Sequence, residues 1–205
     1  MPEDDFARAT AAIVAAGQRL DRFGWVPATA GNLSVRLPDD RVAITRSGGH
    51  KGFLGADGVI QVGLDGRPLC ATDRPSAETG LHCGIYRHVP EAGAVLHGHS
   101  VPVTVLSRLA GDTIPLAGYE LLKAFPGLPT HDAVVELPVF ENDQDIGRLQ
   151  ARVEARWAAG AVTPGYLLRG HGIYVWGADM PQALLRLEAV EFMLRCELES
   201  RRLRP

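Results

Sequence analysis

Two histidines separated by one glycine stand near the end of the segment AVLHGHS, residues 94–100. The apolar residues before them are typical of a buried strand, and side chains at i and i+2 of a strand point to the same face. His97 and His99 are therefore predicted to project into one small volume. Two imidazolium ions held that close would repel each other, whereas two neutral rings can share a divalent cation. The spacing predicts two ligands of a metal site.

A third candidate ligand is His171, which lies between two glycines in LLRGHGIYVWG. Flanking glycines let the backbone turn sharply and bring a side chain close to a site. Catalytic zinc is commonly held by three protein ligands, which leave a fourth position for water or substrate. An isolated histidine between glycines is also common in turns and cores. The residues alone leave His171 open between a ligand and a structural role.

Glycine-rich turns at Gly31-Asn32 and in SGGHKG, residues 47–52, suggest anion binding. Such turns expose backbone N–H groups, and Ser47 and Lys51 could add donors to phosphate oxygens. The same turns are common in hairpins, so the pattern alone does not decide between a hairpin and a phosphate site.

Composition is that of one globular domain over residues 1–205, with 46% hydrophobic and 22% charged residues. A formal net charge of −3 and a pI near 6.2 argue against nucleic-acid and anionic-membrane partners.

The acidic start MPEDDFARAT lacks the features of a secretory signal, and no apolar run is long enough to span a bilayer, which predicts a cytoplasmic protein. Cys70, Cys83 and Cys196 form no Cys-x-x-Cys pair, so neither a disulfide framework nor a thiolate zinc site is predicted.

Apolar periodicity alternates between helix and strand along the chain. Residues 4–23 predict a helix, residues 32–69 an antiparallel meander, and Ser76 the N-cap of a helix that Pro90 closes. The remaining predicted elements are a strand ending at His97, a helix over 101–109, an irregular stretch GYELLKAF, a strand AVVELPVF, a helix from about 143 to 157, two short strands around His171 and a helix over 181–202. This order predicts an α/β sandwich with a central, largely antiparallel sheet.

Six segments together resemble the class II aldolase/adducin superfamily, over essentially the whole chain. They are ATAGNLSVRL, ITRSGGHKG, PSAETGLHCGIYRHVPEAGAVLHGHS, GYELLKAF, VFENDQDIGRL and GYLLRGHGIYVWG. The segments GYELLKAF and ENDQDI favour the dehydratase branch of this superfamily. The resemblance implies a three-layer α/β sandwich in which helices flank the central sheet.

The resemblance also implies roles for individual residues. It makes His97, His99 and His171 the ligands of one Zn²⁺ per subunit and gives Glu120 the acid/base role. Glu78 matches the carboxylate that aldolases of the superfamily place beside the metal, as acid/base or as a displaceable fourth ligand. The substrate and phosphate positions implied are Asn32, Ser47, Gly48 and Ser76.

Ordinary structural roles compete with these assignments. Without the motifs, a lone glutamate such as Glu120 is typical of a solvated surface, and Glu78 of the first turn of a helix. His82 lies four residues after Glu78 on the same predicted helix face, and we expect it to be a packed or solvated residue.

The function implied by the resemblance is zinc-dependent dehydration of 5-methylthioribulose 1-phosphate to 2,3-diketo-5-methylthiopentyl 1-phosphate, a step of methionine salvage. A homo-oligomer, a tetramer, is implied as well. One alternative is a class II sugar-phosphate aldolase or epimerase, because metal ligation alone does not distinguish elimination from carbon–carbon cleavage. Another is a non-catalytic adducin-like module, against which the intact set of three histidines argues.

Overall fold

The predicted N-terminal meander is confirmed. A computed structural model describes residues 2–160 and 163–203 and places β1 at Asn32–Leu37, β2 at Arg41–Thr45 and β3 at Val59–Gly63. β1 pairs antiparallel with β2, and β2 with β3. Asp39 and Asp40 turn the chain between β1 and β2 with φ values of 58° and 54°, a conformation that aspartate tolerates better than most residues.

The sheet continues on the other side of β1. β4 spans Ala94–Gly98, β5 Thr113–Ala117, β6 Val134–Phe140, β7 Gly165–Leu168 and β8 Gly172–Gly177. Within the described residues the sheet has eight strands in the order β3-β2-β1-β4-β8-β7-β6-β5. Neighbouring strands pair antiparallel, apart from the parallel pair β6 and β7. The largely antiparallel central sheet is therefore confirmed.

Helices cover both faces of the sheet. They are α1 (Pro2–Arg22), α2 (Thr79–His88), α3 (Val101–Leu109), α4 (Ile146–Ala158) and α5 (Met180–Leu203). Residues of α1, α3 and α5 share one buried apolar cluster with the sheet, whereas α2 and α4 contribute to a second cluster. The three-layer α/β sandwich that the resemblance implies is confirmed.

Strand β8 shows how the two cores form. Ile173 and Val175 belong to the cluster under α1, α3 and α5, whereas Tyr174 and Trp176 belong to the cluster under α2 and α4. Successive side chains of a strand point to opposite faces, and both faces are covered here. Tyr174 also pairs with His97 of β4, so this residue marks the face on which the candidate ligands lie.

Two helix starts and one strand differ from the sequence prediction. Helix α2 begins at Thr79, with Glu78 at the N-cap position, and the Ser76 hydroxyl accepts a hydrogen bond from Asn32 instead of capping the helix. Helix α4 begins at Ile146, where the Asp145 side chain accepts from the Arg148 N–H. Strand β5 has no counterpart in the sequence prediction. It contains Pro115, which is tolerated there because β5 is an edge strand.

Two expectations from composition can be compared with the described residues. All three cysteines are free thiols, as predicted. None of the helices in residues 2–160 and 163–203 combines the length and apolar character needed to cross a bilayer.

Glu191 of α5 is a carboxylate buried without compensation. Its side chain is 2% exposed, and neither oxygen has a partner in hydrogen-bonding geometry among the described residues. Burial raises the pKa of Glu191 to about 7, and the nearby Ser100 hydroxyl opposes that shift. The folded chain therefore holds a proton here that the unfolded chain releases at lower pH.

Glu191→Gln is expected to remove a pH-dependent loss of stability. The unfolded carboxyl titrates near 4.5 and the folded one near 7, so wild-type stability falls as pH rises through that window. Relative to wild type, the variant should gain about 2 kcal/mol of unfolding free energy between pH 5 and pH 8. Denaturant titrations at both pH values measure this gain. Glu199→Gln, an exposed change on the same helix, is the control, and an equal gain in both variants would contradict the assignment.

Candidate active site

The end of β4 holds two of the predicted ligands side by side. His97 is fully buried and stacks on Tyr174, with ring centroids 4.1 Å apart. His99 follows beyond Gly98, and its ring centroid lies 4.5 Å from that of His97. The two Nε2 atoms are 2.8 Å apart. The predicted projection of both rings into one volume is what the structure shows.

The turn between β7 and β8 brings His171 to the same place. Its ring centroid lies 5.2 Å from that of His97 and 4.7 Å from that of His99. Gly170 makes this turn possible with a φ of 65°, which L side chains rarely adopt. At Gly172 a Cβ atom would lie 2.7 Å from Cε1 of His97, so only glycine lets β8 pass this close to the ligand rings.

Glu78, the residue before α2, completes the cluster. Its Oε2 lies 3.2 Å from Nε2 of His97, and its Oε1 lies 3.1 Å from Nε2 of His171. One ligand atom from each of Glu78, His97, His99 and His171 lies within 4.8 Å of all the others. Three imidazole nitrogens and one carboxylate form a donor set suited to a divalent metal.

In His97 and His171, Nδ1 makes a hydrogen bond outside the cluster, and that bond determines the protonation of Nε2, which faces the cluster. His97 Nδ1 lies 2.9 Å from the carbonyl oxygen of Ile173, which can only accept, so Nδ1 carries the proton. His171 Nδ1 lies 3.0 Å from Oδ1 of Asn142. In the neutral form of each ring, Nε2 therefore turns its lone pair toward the centre of the cluster. Hydrogen bonds of this kind from the outer ring nitrogen are typical of metal-bound histidines, and a cation would offset the repulsion between the lone pairs.

Charge at the cluster also suits a metal. Burial, together with the charge that His97 and His171 carry when protonated, lowers the pKa of His99 to about 3. Burial alone would raise the pKa of Glu78, but His97 and His171 in their protonated form outweigh it and hold that pKa well below its usual range. Near neutral pH the His99 ring is therefore neutral and can give a lone pair to a metal, and it lies beside the ionised Glu78 carboxylate.

A cavity of about 340 Å³ opens onto the cluster. It is lined by Glu78, His99 and His171 and also by the four predicted phosphate positions: Asn32, Ser47, Gly48 and Ser76. Lys51 lies beneath the glycine-rich turn, donating from Nζ to the carbonyl oxygens of Thr29 at 2.9 Å and Gly49 at 2.6 Å. The volume is of the size that binds a small molecule.

A phosphate oxygen would need an N–H donor from Asn32, but the Asn32 amide donates its hydrogens to other side chains. Its Nδ2 donates to Ser76 Oγ at 2.9 Å and to Glu78 Oε2 at 2.7 Å, while its Oδ1 faces His82. Both amide hydrogens are thereby used within the chain. The side chain of Asn32 orients Glu78, which the sequence analysis did not foresee.

Glu120 is not at this cluster within one chain. It begins a 3-10 helix at Glu120–Ala124, and its side chain is 69% exposed. Its carboxylate forms an ion pair with Lys123, and that hydrogen bond lowers its pKa. The cavity beside the histidines is lined by Glu78 and not by Glu120. The acid/base role implied for Glu120 is therefore not accounted for by the contacts of a single chain.

Family comparison bears on the same residues. The model of the class II aldolase and adducin N-terminal domain matches residues 11–198 of the chain. The chain belongs to the class II aldolase and adducin family. Its predicted ligands and both candidate carboxylates lie inside the matched segment, so the resemblance stated from the motifs is confirmed.

Relatives within the family favour the dehydratase branch. The chain is 62% identical to a methylthioribulose-1-phosphate dehydratase from Gluconacetobacter diazotrophicus over 97% of each chain. It is 51% identical to a methylthioribulose-1-phosphate dehydratase from Pseudomonas aeruginosa over 96% of each chain. Among solved structures of the family, an L-fuculose-1-phosphate aldolase from Thermus thermophilus has a TM-score of 0.77 at 25% identity, with 96% of each chain covered. The prediction of the dehydratase branch is confirmed.

Two residues of the site escaped the sequence analysis. Asn142 lies in the ENDQDI segment and contacts the third imidazole, and His82 contacts Asn32 from α2. The presence of Asn142 in a quoted motif was the only signal for it. His82 was expected to be packed or solvated, and it is fully buried within a polar network.

Proposed function

We propose that the chain is a metal-dependent hydro-lyase that converts 5-methylthioribulose 1-phosphate to 2,3-diketo-5-methylthiopentyl 1-phosphate. The observation that carries the proposal is the meeting of three imidazoles and Glu78 at a cavity that Ser47, Gly48 and Ser76, residue types suited to a phosphate, also line. Identity of 62% to a dehydratase of that name over 97% of the chain supports the choice of substrate. The proposal includes one catalytic domain over residues 1–205, acting in the cytoplasm in methionine salvage.

Zinc, one ion per chain, is the cofactor that we propose for His97, His99 and His171. When bound there, a divalent cation supplies a Lewis acid that polarises the substrate ketone at C2. Imidazole nitrogens suit zinc and also accept other divalent metals of the first transition row. Glu78 supplies the one negative charge of the donor set and is oriented by Asn32.

Elimination requires a proton acceptor at C3 and a proton donor at the C4 hydroxyl. We assign both tasks to Glu120, which takes the C3 proton and returns it to the departing oxygen. The C3–H and C4–O bonds break, water leaves, and the resulting C3 enol becomes the second ketone of the product. One carboxylate can serve both steps because the proton that it gains is the proton that it gives up.

A neighbouring subunit would bring Glu120 to the site. Its carboxylate is exposed and does not line the cavity of its own chain, so a second copy could present it to these histidines without refolding of either chain. We propose a homotetramer, as the family resemblance implies, in which sites lie at subunit boundaries. Ser47, Gly48 and Ser76 bind the phosphate group, with Lys51 beneath the turn.

A second candidate is a sugar-phosphate aldolase. The structural similarity to an L-fuculose-1-phosphate aldolase, at a TM-score of 0.77, favours it, as does the position of Glu78 beside the histidines. An aldolase would remove a proton from the C4 hydroxyl and cleave the C3–C4 bond. The intact donor set argues against a non-catalytic adducin-like module.

A product assay distinguishes these functions. The zinc-loaded chain is incubated with 5-methylthioribulose 1-phosphate and, separately, with L-fuculose 1-phosphate, and the products are identified by mass spectrometry. We expect the first substrate to lose one water and give the diketone, and the second to remain unchanged. Aldehyde release from either substrate, or no diketone from the first, would overturn the proposal.

A further inference from the structure

We propose that His82 is a positioning residue: its ring holds the Asn32 amide in the one orientation that directs an N–H group at Glu78. The inference rests on the proposed function, because Glu78 matters as the carboxylate of the metal centre. His82 lies on α2, four residues after Glu78, and does not belong to the donor set.

The contacts form one continuous chain across the layer between α2 and the sheet. His82 Nε2 contacts Asn32 Oδ1, and His82 Nδ1 lies 2.7 Å from Ser34 Oγ. Ser34 Oγ lies 2.8 Å from the Tyr86 hydroxyl. At the other end, Asn32 Nδ2 lies 2.7 Å from Glu78 Oε2. The network thus links the interior of the protein to the carboxylate at the cavity.

Each link can run in one direction only. An ionised carboxylate accepts hydrogen bonds and cannot donate, so the Asn32 atom beside Glu78 is the amide nitrogen. The amide oxygen of Asn32 therefore faces His82 and needs a donor, which makes Nε2 the protonated nitrogen of that ring. Nδ1 of His82 is then bare and accepts from the Ser34 hydroxyl, which accepts in turn from Tyr86.

Because the network is buried, its polar groups cannot exchange their hydrogen bonds for bonds to solvent. The side chains of His82 and Ser34 are fully buried, and those of Asn32 and Tyr86 are 3% and 1% exposed. Burial also lowers the pKa of His82 to about 3, with the charge of His97 adding to this and that of Glu78 opposing it, so the ring is neutral. A neutral ring with one donor and one acceptor matches the two partners on either side.

Loss of the His82 donor would release the Asn32 amide. The amide could then rotate and present its oxygen to Glu78, and two acceptors in contact would push the carboxylate away from His97 and His171. Substituting a residue that orients a metal ligand lowers metal affinity or activity by roughly 10- to 100-fold. His82 therefore acts on the metal centre through Asn32 and Glu78 without touching the substrate.

Two substitutions separate this role from simple packing. A glutamine at position 82 places an amide N–H where Nε2 stood and can still donate to Asn32, whereas an asparagine reaches only the Nδ1 position. We expect His82→Gln to stay within about threefold of wild type, and His82→Asn to lose roughly 10- to 100-fold in zinc affinity and in kcat, with KM little changed. His88→Asn, a partly exposed change on the same helix, is the matched control and should leave both unchanged.

Zinc affinity is measured by competition with a chelator, and kcat with 5-methylthioribulose 1-phosphate. Nitrogen-15 NMR of histidine-labelled, metal-free wild type adds a readout that requires no variant to fold. We expect the His82 ring, assigned by the signals missing in His82→Gln, to show a protonated Nε2 and a bare Nδ1 at neutral pH.

A protonated Nδ1, or equal losses in the two variants, would overturn the proposal. Failure of the proposed function would give a different result from failure of this inference. Wild type would then lack dehydratase activity, while the His82 tautomer and the difference in zinc affinity between His82→Gln and His82→Asn would persist.

Discussion

Replacing His97 with alanine is expected to abolish tight metal binding and turnover together. This ring is buried at the centre of the cluster, with its Nε2 2.8 Å from Nε2 of His99 and 3.2 Å from Oε2 of Glu78. Removing a direct ligand should lower metal affinity by more than the roughly 10- to 100-fold that is lost when a residue orienting a ligand is changed. Metal content after dialysis, measured by elemental mass spectrometry, and initial rates with saturating substrate give the two values.

His88→Ala is the control for this experiment, because it removes an imidazole from α2 outside the donor set. It should keep one metal per chain and full turnover. A His97→Ala chain that folds, keeps stoichiometric metal and turns over at the wild-type rate would remove His97 from the site.

Glu120→Gln is expected to leave metal content unchanged and to lower kcat by about 10²- to 10⁴-fold, the range that general acid–base catalysis contributes. Glutamine keeps the size of the side chain but cannot carry the proton between C3 and the leaving oxygen. The measurement is kcat at constant metal loading. An unchanged kcat would leave proton transfer to Glu78, which is already at the cluster.

Mixing two inactive chains tests where Glu120 acts. If a neighbouring subunit supplies it, hybrids of His97→Ala and Glu120→Gln chains contain sites with both groups intact, about a quarter of all sites on random assembly. Activity should then recover on co-assembly. Mixing His97→Ala with His171→Ala is the matched control and should recover nothing, because neither chain has a complete donor set. No recovery in the first mixture would contradict the assignment across subunits.

Local periodicity was sufficient to predict the elements that carry the candidate metal ligands. The strand rule of two residues per repeat places His97 and His99 on one face, and β1 and β2 have the limits that their alternation predicts. The turn at His171 follows from its flanking glycines. What spacing could not supply is the meeting of β4 with the turn after β7, which depends on the order of strands in the sheet.

Long-range contacts explain the failures. Ser76 is a good N-cap by type, yet its hydroxyl is taken by Asn32, which lies 44 residues away in the sequence. The partners of His82 lie 48 and 50 residues away, so nothing in its own helix reveals the network. Glu120 lies in a family motif but does not line the cavity beside His97, His99 and His171. The position that we propose for it in the site depends on assembly, which within-chain periodicity does not encode.

The most direct test of the metal centre is an anomalous-scattering map of zinc-loaded crystals. We expect one peak per chain, with Nε2 of His97, His99 and His171 each about 2.0–2.1 Å from it. A fully loaded chain whose zinc peak lies elsewhere, or whose His171 ring stands beyond coordination distance of the metal, would contradict the account.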